Sequence, residues 1–333
     1  MQTPNSAEGG AAGGAGTGGG AAPGAARWGH AWGMPDADLP ADPTPDAAPA
    51  ALPDAAPSVR LIASDVDGTL LTPDHRITDA VRDAVGRATR AGVAVVLASA
   101  RGPLAMRHLV AELGLLDAPD GPALAGAVVA FQGALVGQFH ADGSFTQLHS
   151  TRLDHALAAS IVEQVVAAGH VANWYDGAGW HPTRWDGYGE WEQKATGQAP
   201  AGLLGPAQLA PGAPGPHKLM VPPDPSRPDL VPALAAALPE GCDAFLSGEH
   251  YLEIVAPGVD KSTGLDQLAA DLGLARAQLA AVGDGPNDLG MFAHVGTAVA
   301  MANASDAVKA YAAWVTASNA QDGLARAIDA LLG

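Results

Sequence analysis

Five short runs of almost wholly apolar residues constrain the fold more than any other feature of this chain: VRLIAS, VAVVLAS, AVVAF, LAAVGD and TAVAM. Runs this brief and this apolar read as strands buried on both faces, which is the habit of parallel sheets. Between the first two lies ITDAVRDAVGRATRAG, whose Ile77, Val81, Val85 and Ala88 recur at helical spacing before Gly92 stops the helix. Leu109, Leu113 and Leu116 mark the next helix. Strand and helix in alternation predict an α/β fold built on a doubly wound parallel sheet.

The alternation breaks between residues 148 and 255. Here the pattern reads as a helix (LDHALAASIVEQVVAAG), two aromatic strands around Asp176-Gly177, a short helix near Trp191, a strand at KLMV, a helix near 229–238, and a hairpin of CDAFLS and HYLEIVA. That order is α+β, so residues 148–255 are expected to form an inserted second domain. Residues 58–147 and 256–333 would then be the two parts of one core. Residues 1–57, rich in Ala, Gly and Pro and carrying RWGHAW, lack the apolar periodicity to build a core and are expected to be a disordered tail.

Charge narrows the function. Thirty-five acidic residues against 17 basic ones give a net charge of −18. That balance opposes nucleic-acid binding, which needs clustered Lys and Arg. It also requires any phosphate site to carry its own local cations. With one cysteine, Cys242, no internal disulfide can form. No apolar run is long enough for a membrane span and no secretory pattern opens the chain, so a cytoplasmic protein without a membrane partner is expected.

Carboxylates cluster at the ends of two predicted strands. Asp65 and Asp67 follow the first, with Gly68 allowing a sharp turn; Asp284 and Asp288 follow LAAV in GDGPND. Ligands in open α/β sheets bind at the carboxyl ends of strands. If the two ends are neighbours, each like-charge pair at about 4 Å costs roughly 4 kcal/mol at an effective dielectric of about 20. A hard divalent cation such as Mg²⁺, which takes oxygen ligands, relieves that repulsion. Ser99, at the end of the second strand, and Lys261, in GVDKSTGL, can supply polar and positive contacts to a phosphate.

DVDGT, VVLASAR, Lys261 and GDGPND, in that order and followed by VAMANA, resemble the four motifs of the haloacid dehalogenase superfamily. The insert resembles the C2B-type cap of its Cof-like sugar-phosphatase branch. The resemblance covers residues 58–333 and implies a Rossmann-like core with an inserted α+β cap. It implies a Mg²⁺-dependent phosphatase acting on a small phosphorylated metabolite. Asp65 would be the nucleophile that forms an aspartyl-phosphate, and Asp67 the general acid and base. Ser99, Lys261 and Asn287 would bind the phosphate. Mg²⁺ would be held by Asp65, the backbone carbonyl of Asp67, Asp284 and Asp288, with Gly283 and Gly285 letting the chain bend around it. Four positions depart from the family pattern: Ser99 and Ala100 where Thr then Gly is usual, Gln132 where Asn is usual, and Pro286 inside the fourth motif. A phosphomutase of the same fold and a non-catalytic sugar-phosphate-binding regulator are the alternative readings.

The insert also holds an aromatic cluster, Trp174, Tyr175, Trp180, Trp185, Tyr188 and Trp191. Most are expected to form its core, and His181 and Arg184 are the candidates to face a substrate.

Overall fold

The computed structural model describes residues 59–116, 124–177, 179–247 and 251–333, so the expected tail over residues 1–57 lies outside the described residues. The chain begins with β1 (Leu61–Ser64), α1 (Asp79–Arg90), β2 (Ala94–Ala98), α2 (Pro103–Glu112), β3 (Ala127–Ala130), β4 (Leu135–Phe139) and β5 (Phe145–Ser150). A middle stretch follows with α3 (His155–Ala167), β6 (Asn173–Asp176), β7 (Gly179–Pro182), α4 (Gly187–Thr196), α5 (Pro206–Leu209), β8 (Lys218–Val221), α6 (Leu230–Ala236), β9 (Asp243–Ser247) and β10 (Tyr251–Val255). The last part comprises α7 (Lys261–Asp271), β11 (Leu279–Gly283), α8 (Leu289–His294), β12 (Thr297–Ala300), α9 (Asp306–Lys309), β13 (Trp314–Val315) and α10 (Gly323–Leu332). Among the described residues no helix is long and apolar enough to cross a membrane.

Eight strands form one sheet in the order β13-β12-β11-β1-β2-β3-β4-β5. It is parallel from β13 to β3 and antiparallel through β4 and β5. Because successive side chains point to opposite faces, the apolar runs feed two cores at once. Ile62, Val95, Leu97 and Val282 pack with Val81 and Val85 of α1, Met106 of α2 and Ile328 of α10. Leu61, Ala63, Val96 and Ala281 pack on the other face with Leu265 and Leu268 of α7 and Met291 of α8. The sheet is therefore doubly wound, as its sequence pattern implies. The chain leaves β1 toward β2 and later returns to β11 on the opposite side, so the carboxyl ends of β1 and β11 flank the point where ligands bind in such sheets.

Local signals explain where α1 begins and ends. Thr78 caps it by accepting a hydrogen bond from the Val81 N–H, Asp79 lies in its first turn, and Arg87 and Arg90 lie in its last. Gly92, at φ +77°, lets the chain turn away.

The middle strands make a second, antiparallel sheet in the order β7-β6-β8-β10-β9. Alternation divides its side chains cleanly. Trp174, Leu219, Val221, Leu252 and Ile254 pack under α3 against Ile161, Val162 and Val165. Tyr175, Trp180, Lys218, Met220, Phe245 and Glu253 share the other face through the pairings Tyr175–Trp180, Tyr175–Lys218, Glu253–Met220 and Glu253–Phe245. The β4–β5 hairpin joins the eight-stranded sheet, and β5 runs across residues 147 and 148, where the sequence pattern places the start of the insert.

Candidate active site

Asp65 stands one residue beyond β1, its N–H donating to the Val282 carbonyl of β11 at 2.9 Å. Gly68 follows at φ +89°, and a Cβ there would meet the Asp284 carboxylate, so this turn needs glycine for both conformation and room. Thr69 Oγ1 donates to Asp284 Oδ1 at 3.1 Å. Asn303 Nδ2 donates to the Gly68 carbonyl at 2.9 Å and to Asp284 Oδ2 at 3.1 Å. The two strand ends are thus stitched together through Asp284.

Lys261 opens α7, which Asp260 caps by accepting from the N–H groups of Ser262 and Thr263. The lysine is wholly buried, and its Nζ donates to Asp65 Oδ1 at 2.6 Å and to Asp288 Oδ1 at 2.7 Å. Asp288 spends its other oxygen on the N–H groups of Asp284 and Gly285, at 3.0 and 2.9 Å. Gly283 makes room for this: a Cβ there would lie 2.5 Å from Asp288 Cγ, so space is what that position demands.

Burial pushes the Asp65 carboxyl well above the ordinary carboxylate range, and the neighbouring Asp288 and Asp284 charges add to this while Lys261 opposes it. Burial, with Asp288 beside it, lifts Asp284 to about 6. Burial alone would lower the Lys261 pKa, but Asp288 and Asp65 outweigh it and hold the ammonium charged. One ammonium among three carboxylates leaves negative charge in excess. Oxygens of Asp65, Asp284 and Asp288 lie within 4.8 Å of one another, a hard-donor set that fits a small divalent cation such as Mg²⁺.

Asp67 has a different partner. Arg101 grips it at both oxygens, Nε to Oδ2 at 2.8 Å and Nη2 to Oδ1 at 2.6 Å. Ser99 is buried beside them, its Oγ accepting from the Arg101 N–H at 3.1 Å. Asn287 Nδ2 donates to Gln132 Oε1 at 3.4 Å. Phe131 and Gln132 both adopt left-handed backbone, at φ +51° and +58°, a strain of about 1–3 kcal/mol per residue. That backbone aims Gln132 Nε2 at Glu253 Oε2, 3.1 Å away in the second sheet.

A cleft of about 1420 Å³ separates the two sheets. Asp65, Asp67, Ser99, Asp284 and Asn287 line one side; Tyr175, Glu192, Lys218 and Glu253 line the other. Lys218 Nζ lies 3.5 Å from Glu253, donates to the Ala100 carbonyl at 2.7 Å, and sits 4.9 Å from the centre of the Tyr175 ring. Tyr175 donates its hydroxyl to Glu192 at 2.6 Å.

The seven candidate site residues therefore meet in one place: Lys261 bridges Asp65 and Asp288, Asp284 stands beside both carboxylates, and Asp67, Ser99 and Asn287 lie around them. His181 and Arg184 do not join them. His181 pairs with Trp174 across β6 and β7, so alternation turns it to the sheet face away from the cleft, where its Nε2 meets Gln208. Arg184 binds Asp186 at 2.8 Å on the surface. Of the aromatic cluster named from the sequence, Trp174, Tyr175 and Trp180 are buried, whereas Trp185 and Trp191 are exposed. The pattern reading passes over Arg101, Lys218, Glu192 and Glu253. For Lys218 and Glu253 a signal exists, a single charge inside an apolar strand.

A family model of haloacid dehalogenase-like hydrolases matches residues 62–328. The protein YxeH of Bacillus subtilis is 28% identical over 279 residues, 82% of this chain and 98% of its own. YcsE of the same species, a 5-amino-6-(5-phospho-D-ribitylamino)uracil phosphatase by name, is 26% identical over 275 residues, 81% of this chain and 94% of its own. A solved haloacid dehalogenase-like hydrolase from Bacteroides thetaiotaomicron superposes with a TM-score of 0.69 at 27% identity, covering 81% of this chain and 98% of that one. The chain belongs to the haloacid dehalogenase-like hydrolases, in their Cof-like phosphatase branch.

Proposed function

We propose that the enzyme hydrolyses a small phosphate monoester, a sugar phosphate or related phosphorylated metabolite, by a Mg²⁺-dependent route through an aspartyl-phosphate on Asp65. The observation that carries this reading is the contact of Asp65 with Lys261 beside the Asp284–Asp288 pair, at the wall of a cleft large enough for a metabolite. In this reading residues 58–147 and 256–333 form the core, and residues 148–255 form a cap over it.

An Asp65 oxygen attacks phosphorus as the bond to the leaving oxygen breaks, and Asp67 gives that oxygen a proton. Asp67 then takes a proton from water, whose oxygen attacks the same phosphorus and frees Asp65 and inorganic phosphate. Ser99, Lys261 and Asn287 hold the phosphoryl oxygens throughout. Asp65, the Asp67 backbone carbonyl and Asp284 would hold Mg²⁺, with Asp288 binding directly or through water. When bound, the ion neutralises charge on the transferring group. Arg101 occupies both Asp67 oxygens in the resting site, so Asp67 serves as an acid only after the guanidinium yields one of them. An arriving phosphoryl group is a strong competitor for that guanidinium.

The test is a panel of phosphorylated metabolites with Mg²⁺, following released phosphate and isomerised product together. Phosphate release is expected; isomerised product without it would make the enzyme a mutase. Asp65→Asn should abolish turnover with the fold retained by circular dichroism, and activity within tenfold of the parent would rule out the covalent route.

A further inference from the structure

The turn between β3 and β4 reaches both sheets. Phe131, Gln132 and Gly133 form it, and all three are buried. Its backbone is pinned to the site on two sides. The Phe131 N–H donates to the Arg101 carbonyl at 3.0 Å, and the Gln132 N–H donates to the Ser99 carbonyl at 3.1 Å. Gly133, at φ +99°, lies so close to the start of α7 that a Cβ there would sit 1.9 Å from the Asp260 carbonyl oxygen. The left-handed backbone of Phe131 and Gln132 persists because these contacts over-determine it, and such strain gathers at functional sites.

The Gln132 side chain, 1% exposed, spans from the second sheet to Asn287. Its Nε2 donates to Glu253 Oε2 at 3.1 Å, and its Oε1 accepts from Asn287 Nδ2 at 3.4 Å. A primary amide carries donors at one end and an acceptor at the other, so taken alone it could sit either way round. Here the carboxylate decides. Glu253 offers only acceptor oxygens, and the Lys218 ammonium lies 3.5 Å from the same Oε2. Nε2 must therefore face Glu253, which turns Oε1 to Asn287, and Asn287 must answer with Nδ2. Reversing either amide would set like groups face to face and leave buried polar atoms unsatisfied. Asn, the residue usual here in the family, is one methylene shorter and reaches less far.

We propose that Gln132 and Glu253 are positioning residues: the Glu253 carboxylate fixes the polarity of Gln132, which in turn holds Asn287 with its Nδ2 toward the transferring phosphoryl group. Nδ2 carries two hydrogens, one for Gln132 and one for a phosphoryl oxygen. A phosphoryl oxygen only accepts, so an Asn287 amide turned the other way would meet it with Oδ1 and repel it. The second sheet thereby acts on the phosphate site through two amides, apart from any contact it makes with the leaving group. This rests on Asn287 as a phosphate contact in the reading above, and it deepens that reading.

The experiment measures kcat/KM with Mg²⁺ on acetyl phosphate and nitrophenyl phosphate. The proteins are the parent, Gln132→Leu, Glu253→Gln, Asn287→Ala, and the two doubles that combine Asn287→Ala with each of the others. Circular dichroism checks that each is folded. Gln132→Leu should lose about tenfold, the upper end of what one neutral hydrogen bond is worth. Glu253→Gln keeps the size of the side chain but can donate as well as accept, so it should lose about threefold. Neither change should add to Asn287→Ala: each double should match that single variant within about twofold, as residues acting as one unit do. Losses that multiply in the doubles, or parental activity in Glu253→Gln or Asn287→Ala, would overturn this inference and leave the phosphatase reading standing. If Gln132→Leu does not fold, the Glu253→Gln pair decides alone. If the parent frees phosphate from neither ester nor any of the metabolite panel, the phosphatase reading falls and this inference falls with it.

Discussion

Asp65 and Asp67 are two residues apart, yet their carboxylates live in different surroundings. Asp65 is 5% exposed and bound to a buried ammonium, while Asp67 reaches the cleft and meets a guanidinium. That split suits a nucleophile held still and an acid that must move between partners. If Asp67 protonates the leaving oxygen, its worth depends on how badly that oxygen needs a proton. General acid catalysis contributes about 10²- to 10⁴-fold where the leaving group is a poor one, as a sugar alkoxide is. A nitrophenolate departs well unaided. In single-turnover experiments on Asp67→Ala, release of the leaving group should therefore slow at least tenfold more for a sugar phosphate than for nitrophenyl phosphate. Equal slowing would mean that Asp67 only shapes the metal site.

Elements decide which residues that pattern can reach. DVDGT and GDGPND are legible because each is contiguous and follows an apolar run, so the strand end and its acids appear together in the chain. The doubly wound core is legible for the same reason, since its period is local. The β4–β5 hairpin is harder to see, because β5 is half exposed and its alternation is weak. Lys218 and Glu253 are harder still: their meaning depends on which face of β8 and β10 turns to the cleft, and that is set by pairing across distant strands. The same alternation turns His181 away. At 6% side-chain exposure each, Lys218 and Glu253 are a buried ion pair. Removing one partner from a buried pair costs about 3–5 kcal/mol, more than removing both. Lys218→Met should therefore lower the melting temperature by several degrees, and adding Glu253→Gln should restore part of it. A double variant that melts lower still would show that the two charges do not stabilise each other.

At the scale of the whole molecule, the two sheets meet where the chain passes between them, and His217 sits at that junction. Its Nε2 meets Ser150 Oγ at 3.0 Å, at the end of β5 in the large sheet, and its N–H donates to the Tyr175 carbonyl of the small one at 2.9 Å. Its ring stacks on Phe131, 5.6 Å away, and its Nδ1 finds no hydrogen-bond partner among the described residues. Burial, aided by the Arg152 charge, depresses its pKa from 6.5 to about 3. The folded protein therefore keeps this imidazole neutral where an unfolded chain would protonate it. The unfolded state binds the extra proton between pH 6.5 and about 3, so stability is whole above pH 6.5 and is lost as the pH falls through that window. Each unit of the window is worth up to about 1.4 kcal/mol. Denaturant titrations at pH 7.5 and 4.5 should show His217→Gln losing about 2.7 kcal/mol less than the parent over that interval, the contribution of other groups being common to both. Parallel losses in the two proteins would mean that His217 takes up its proton in the fold over the same pH range as in the unfolded chain, and that the junction tolerates its charge.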